Sequence, residues 1–181
     1  MSARLEIRIG GTGGQGLILS GKMLAAALAS IGKRVAQSQT YEPTSRGGYC
    51  NSDLVVSEGA VDYPLATALD CLVLLDRLAI GPARSQLKKG ALVIADAKLE
   101  LPKADYRVHS LPLIRTAIEL GSERVANLVA LGALAALAKL CDRKTLEQAV
   151  RAETPKSFLE LNLDALAAGY KLGEGVTAAA A

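Results

Sequence analysis

Apolar and charged positions alternate at the start of the chain. In "RLEIRI" Leu5, Ile7 and Ile9 share one side, which predicts a strand. From Leu17 the apolar or small positions fall at 17, 21, 24, 28 and 31, a helical spacing, and Gly32 follows where a C′ glycine closes a helix. Residues 33–39 read as a short second strand, 40–49 as a turn-rich loop and 50–58 as a third strand. The runs Cys71–Asp76 and Ala91–Asp96 are apolar without interruption until their final Asp. Unbroken runs of this kind suit a parallel sheet covered on both faces. Between them residues 77–90 read as a helix stopped by Lys88-Lys89-Gly90, and 106–113 hold a last strand. The expected architecture is α/β: a Rossmann-like, doubly wound, mostly parallel sheet flanked by helices.

From Leu111 onward the pattern turns helical. Residues 122–140 are apolar or small almost all round, which predicts a helix buried on most sides, either within the chain or against a partner. Asp142 reads as an N-cap, and Thr154-Pro155 as a cap followed by an N1 proline. Residues 1–175 are expected to form a single domain, and 176–181 a disordered tail.

Charge narrows the partners. Twenty-one Lys and Arg against eighteen Asp and Glu give a net +3, with no Trp and one Phe, so no basic stripe with stacking aromatics offers itself to nucleic acid. No apolar run is long enough to span a bilayer, and no leader pattern precedes the first strand; the expected compartment is the cytoplasm. Cys50, Cys71 and Cys141 are odd in number and form no CxxC, which argues against a disulfide framework, zinc or a cluster, so no metal ligands are assigned. The one histidine, His109, ends a short strand and reads as an edge residue; no catalytic residue is assigned.

The candidate chemistry lies in "RIGGTGGQGLILSG", six glycines among fourteen residues. Gly11, Gly13 and Gly16 have the GxGxxG spacing between a strand and a helix, where free amides and the helix dipole suit a phosphate. Thr12, Gly14 and Gln15 complete the loop, Gln15 offering a side-chain amide at its mouth. A dinucleotide site also asks for an acid at the end of the second strand, but Gln and Ser stand there, Glu42 lies beyond and Arg34 is at the other end. That disfavours NAD and NADP. Glycines serving only tight strand–helix packing remain an alternative. In "TSRGGY", Arg46 with Gly47 and Gly48 again follows a strand, and its guanidinium could pair with a phosphate or carboxylate, cap its own loop or bridge to another chain.

Taken together, "GGTGGQGLILSGKMLAAALASIGKRV", "QTYEPTSRGGYCNSDLVVS", "VANLVALGAL" and "NLDALAAGY" resemble the gamma subunit of the 2-oxoacid:ferredoxin oxidoreductases over nearly the whole chain. The resemblance implies a subunit that carries no thiamine. The complex would decarboxylate a 2-oxoacid oxidatively, with coenzyme A as acyl acceptor and ferredoxin as electron acceptor. Thiamine diphosphate, Mg and [4Fe–4S] clusters would sit in alpha, beta and delta or ferredoxin-like partners, and the isolated chain could pair with a second copy. It also implies that Gly11–Gly16, Arg46, Gly47 and Gly48 help position coenzyme A or form a wall for the partners. The compact length leans towards 2-oxoglutarate, with 2-oxoisovalerate and pyruvate as alternatives. A purely structural assembly subunit and a stand-alone nucleotide-binding oxidoreductase are the readings from other classes.

Overall fold

The computed structural model describes residues 4–43, 47–61, 63–102 and 105–179. Six strands form one sheet: β1 (Leu5–Thr12), β2 (Arg34–Tyr41), β3 (Tyr49–Ser57), β4 (Leu69–Leu74), β5 (Leu87–Asp96) and β6 (Arg107–Leu111), in the order β2-β3-β1-β4-β5-β6. β1, β4, β5 and β6 pair in parallel, while β3 runs antiparallel between β1 and β2. All the strands but β3 therefore point the same way, and the mixed sheet is mostly parallel.

Helix α1 (Leu17–Ser30) follows β1 and closes as expected. Gly32 has φ 86°, and the N–H groups of Gly32 and Lys33 donate to the Ala29 and Leu28 carbonyls at 3.0 and 3.1 Å. α1 delivers the chain to the edge strand β2, not to a neighbour of β1. The link 42–48 is too short for the crossover that a parallel partner requires, so β2 and β3 make a hairpin.

Three sequence-based boundaries shift. Lys88, Lys89 and Gly90 do not stop a helix but lie in β5, where Leu87 pairs with Leu69 and Lys88 Nζ reaches Asp70 at 2.8 Å. The helix before them shrinks to a 3-10 turn (Arg77–Ala79) and the short α2 (Ile80–Arg84), which carries Gly81 and Pro82, both poor helix residues. Thr154 ends α5 (Arg143–Glu153) and accepts from Asn162 Nδ2 at 3.1 Å. Pro155 therefore precedes a 3-10 turn, and α6 (Leu159–Ala179) starts only after it. α6 stays helical over residues 176–179, where a tail was expected; Ala180 and Ala181 lie outside the described residues. Asp142 is the N-cap foreseen, accepting from Thr145 N–H at 2.8 Å.

One face of the sheet carries α1, α3 (Leu113–Glu119), α4 (Ala126–Ala138), α5 and α6; the other carries the turn at 77–79, α2 and the segments after β3 and β5. In α4 every residue from Ala126 to Ala135 is buried, so its all-round apolar surface is consumed within the chain. α6 lies directly on it: a Cβ on Gly169 would stand 2.0 Å from the Val129 carbonyl oxygen, and one on Gly132 2.2 Å from that of Leu166. Glycine at both positions lets the two helix backbones touch.

Candidate functional site

β1 ends at the carboxyl rim of the sheet and runs into the glycine loop. Gln15 N–H closes a turn on the Thr12 carbonyl at 3.2 Å, and the Thr12 N–H donates to Gln15 Oε1 at 2.8 Å. The Gln15 carbonyl oxygen is thus tied back into its own loop, and only the NH2 end remains for the mouth. A second tie joins the loop to the β2–β3 turn: Gly13 N–H donates to Gly48 O at 2.9 Å, and Gly47 N–H to Gly13 O at 3.2 Å. Gly13 therefore meets Gly47 and Gly48 at one rim. Arg46 lies outside the described residues.

These bonds reduce what the glycine spacing promises. The amides of Thr12, Gly13 and Gln15 are used inside the structure, so a ligand would find those of Gly14, Gly16 and the first turn of α1. Gly14 and Gly16 have φ of 99° and 73°, a region that side chains disfavour. Gly16 is also crowded: a Cβ there would stand 2.6 Å from Asn127 Nδ2.

Asn127 links the loop to the C-terminal helices. Its Nδ2 donates to the Gly16 carbonyl at 3.1 Å and to Ser20 Oγ at 2.9 Å, and the side chain is buried. Its Oδ1 has no partner among the described residues. In the sequence Asn127 marks the resemblance but carries no role; the available signal was one amide in an otherwise apolar run. Beside it a cleft of about 180 Å³ is lined by Gly14, Gln15, Ile114, Glu123, Arg124 and Ala126. Glu123 and Arg124 sit on a 3-10 turn (Glu123–Val125) started by Ser122, and nothing in their sequence pattern distinguishes them from surface charges. A larger groove of about 520 Å³ lies against Ala95, Tyr106 and Val108 on the opposite face, with mainly apolar walls.

The dinucleotide pattern fails for a further reason. β3 separates β2 from β1, so the end of β2 does not stand beside the glycine loop as a ribose-holding acid would. Burial, then the nearby Arg107, holds His109 below its usual range on the edge strand β6. Burial pushes the thiols of Cys71 and Cys141 up to about 11 and also raises Cys50, which suppresses the nucleophilic thiolate. Among the described residues no group of His, Cys, Asp or Glu could hold a metal ion, and no helix is long and apolar enough to cross a membrane.

The chain matches the pyruvate ferredoxin/flavodoxin oxidoreductase family over residues 6–172. It is 36% identical to the 2-oxoglutarate synthase subunit KorC of Methanocaldococcus jannaschii, over 94% of this chain and 95% of that one. The gamma subunit of a keto/oxoacid ferredoxin oxidoreductase from Geobacter sulfurreducens superposes with a TM-score of 0.84 at 36% identity, covering 94% of this chain and 99% of that chain. The 2-oxoglutarate:ferredoxin oxidoreductase of Magnetococcus marinus, solved with 2-oxoglutarate, coenzyme A and succinyl-CoA bound, gives a TM-score of 0.85 at 26% identity; the match covers 95% of this chain and 31% of that one. With relatives of this identity covering nearly its whole length, the chain belongs to the pyruvate ferredoxin/flavodoxin oxidoreductase family, as a gamma-type subunit of a 2-oxoacid:ferredoxin oxidoreductase.

Proposed function

We propose that this chain serves a 2-oxoglutarate:ferredoxin oxidoreductase, and that within the complex it helps to position coenzyme A and to hold the assembly together. The complex oxidatively decarboxylates the 2-oxoacid, passes the acyl group to coenzyme A and reduces ferredoxin. The substrate assignment is supported by the KorC relative, named a 2-oxoglutarate synthase subunit. Thiamine diphosphate, Mg and the clusters belong to alpha, beta and delta or ferredoxin-like partners, in a cytoplasmic complex. This chain supplies a binding surface and no catalytic group.

The observation that carries the coenzyme A role is the joining of two glycine-bearing turns through Gly13, Gly47 and Gly48. That join brings Gly47 and Gly48 to the glycine loop that leads into α1, and a pyrophosphate suits amide donors beside an arginine, the role proposed for Arg46. The outer residues of α1's first turn, Ile18 and Leu19, are apolar and exposed, as is Tyr41 at the end of β2, which supports an assembly role at the same rim.

Arg46→Ala in the assembled complex tests the reading. The apparent KM for coenzyme A should rise about tenfold, the scale of one lost charge-assisted bond, while decarboxylation followed without coenzyme A is spared. Equal loss in both steps would assign Arg46 to structure or to a subunit contact. A tagged chain should also co-purify from extract with thiamine-binding and cluster-bearing subunits.

A further inference from the structure

The opposite rim of the sheet, where all strands but β3 begin, carries an excess of positive charge. Two adjoining clefts of about 320 and 210 Å³ open there, and they share Leu5 at the start of β1 and Ala138 at the end of α4. Lys88, Lys89 and Arg107 stand in the first, Lys33 and Lys139 in the second. The acids in the two linings are Asp70 and Glu58, and each is already engaged. Lys88 Nζ donates to the Asp70 oxygens at 2.8 and 2.9 Å, and Lys33 Nζ to Glu58 at 2.9 Å. Lys89 reaches Asp105 at 3.2 Å, but both side chains are exposed and such a pair is worth little. Arg107 and Lys139 are exposed and form no ion pair among the described residues.

Lys139 occupies a position that glycine would fill more easily. It caps α4 with φ 50° and ψ 45°, and among the described residues it is the one non-glycine residue with positive φ. The fold alone does not call for a lysine there. Half-buried Leu5, Leu137 and Leu140 line the same clefts, so the rim offers apolar surface along with its charge. Both ends of the domain also lead to this rim. β1 begins at it, and α6 runs beside α4 in the same direction, with Gly132 facing Leu166 and Tyr170 and Ala136 facing Gly173. The Magnetococcus marinus relative is a longer chain, of which the match covers 31%. Protein joined to either end of the matching unit there starts from this rim.

We propose that the amino rim is a docking surface for a neighbouring subunit of the complex. That subunit presents a carboxylate-bearing face to Lys139 and Arg107 and covers the leucines of the two clefts. The free cations line different clefts, which suits an extended protein face better than a single small anion. Complementary charge of this kind sets register and excludes wrong partners. The contact is separate from the apolar one at the carboxyl rim and opposite to it in chemistry.

The test uses the co-purified complex carrying Lys139→Glu, Arg107→Glu or Lys139→Gly. Dilution followed by mass photometry gives the apparent Kd of this chain for the rest of the complex. Each charge reversal should raise that Kd roughly tenfold or more at low salt, and the difference should shrink towards 1 M NaCl, where the screening length is about 3 Å. K139G should raise it as well, while the melting temperature of the full chain by itself holds or increases, because glycine suits the left-handed cap. An unchanged Kd in all three variants would overturn the proposal. So would a weakened complex that only tracks a lowered melting temperature of the variant chain. An intact complex with a raised KM for ferredoxin would assign the rim to the mobile acceptor, and an intact complex with loss of self-association of the purified chain would assign it to a second copy; either result also overturns the proposal. The coenzyme A reading rests on the other rim and survives each of these outcomes.

Discussion

At the scale of single residues, the charged positions of β1 are the least expected feature. Alternation in "RLEIRI" places Glu6 and Arg8 opposite the apolar side, yet both are buried. The far face is covered too, by the segment after β3 and the turn at 77–79. Arg8 therefore pairs at 2.6 Å with Asp53, its direct cross-strand partner, and Glu6 accepts from the N–H groups of Thr67 and Ala68 and from Arg4. Burial raises the Glu6 carboxyl, but these donors outweigh it and its pKa lies below the ordinary 4.5. A carboxyl depressed in the folded state contributes stability above its unfolded pKa, and loses it as the pH falls through the folded value. Glu6→Gln should thus cost about 1–3 kcal/mol at pH 7, the scale of a buried bond to a charged group. Urea unfolding should show that deficit shrinking once the pH is well below 4.5. A deficit of equal size at both pH values would detach it from ionisation.

At the scale of elements, the periodicity located helices well but not how closely they approach. Residues 122–140 read as buried on most sides, and α4 is; nothing in that run says that α6 covers it. The clue is the spacing of small residues, with Gly132 facing the α6 backbone and Gly169 facing that of α4. Gly169→Ala must push the helices apart and should cost about 1–3 kcal/mol or more, the usual penalty of overpacking. Gly175 also lies in α6, but a Cβ there meets nothing within 4 Å. Gly175→Ala should instead stabilise, by up to about 1 kcal/mol of helix propensity. Thermal melts of the two variants should move in opposite directions, and a shared downward shift would remove the backbone contact as the cause. Strand order was less legible than helix position. The β2–β3 hairpin follows from the short link 42–48, but alternation says nothing about β3 entering between β1 and β2. Lys88-Lys89-Gly90 looked like a helix end because the pairing of Leu87 with Leu69 is a long-range contact that local sequence does not encode.

At the scale of the whole molecule, the candidate site was legible in one half. The glycine loop declares itself by composition and spacing, whereas Glu123, Arg124 and Asn127 join it only because α4 packs beneath the rim. The site therefore depends on the C-terminal helices, and that dependence can be tested by shortening the chain. A chain ending at residue 175 keeps Gly132, Gly169 and Gly173 in their contacts with α4 or α6 and should retain one cooperative transition. A chain ending at residue 155 loses α6 entirely, leaving Val129, Ala133 and their neighbours, all buried in the intact fold, uncovered. Stable monomers rarely expose a contiguous apolar helix face of that length. The shorter chain should bind a hydrophobic dye, aggregate, and lose the fixed relation of Asn127 to Gly16. If it instead melts cooperatively with native-like stability, α6 is an appendage, and the glycine loop must be held in place by the sheet and α1 alone.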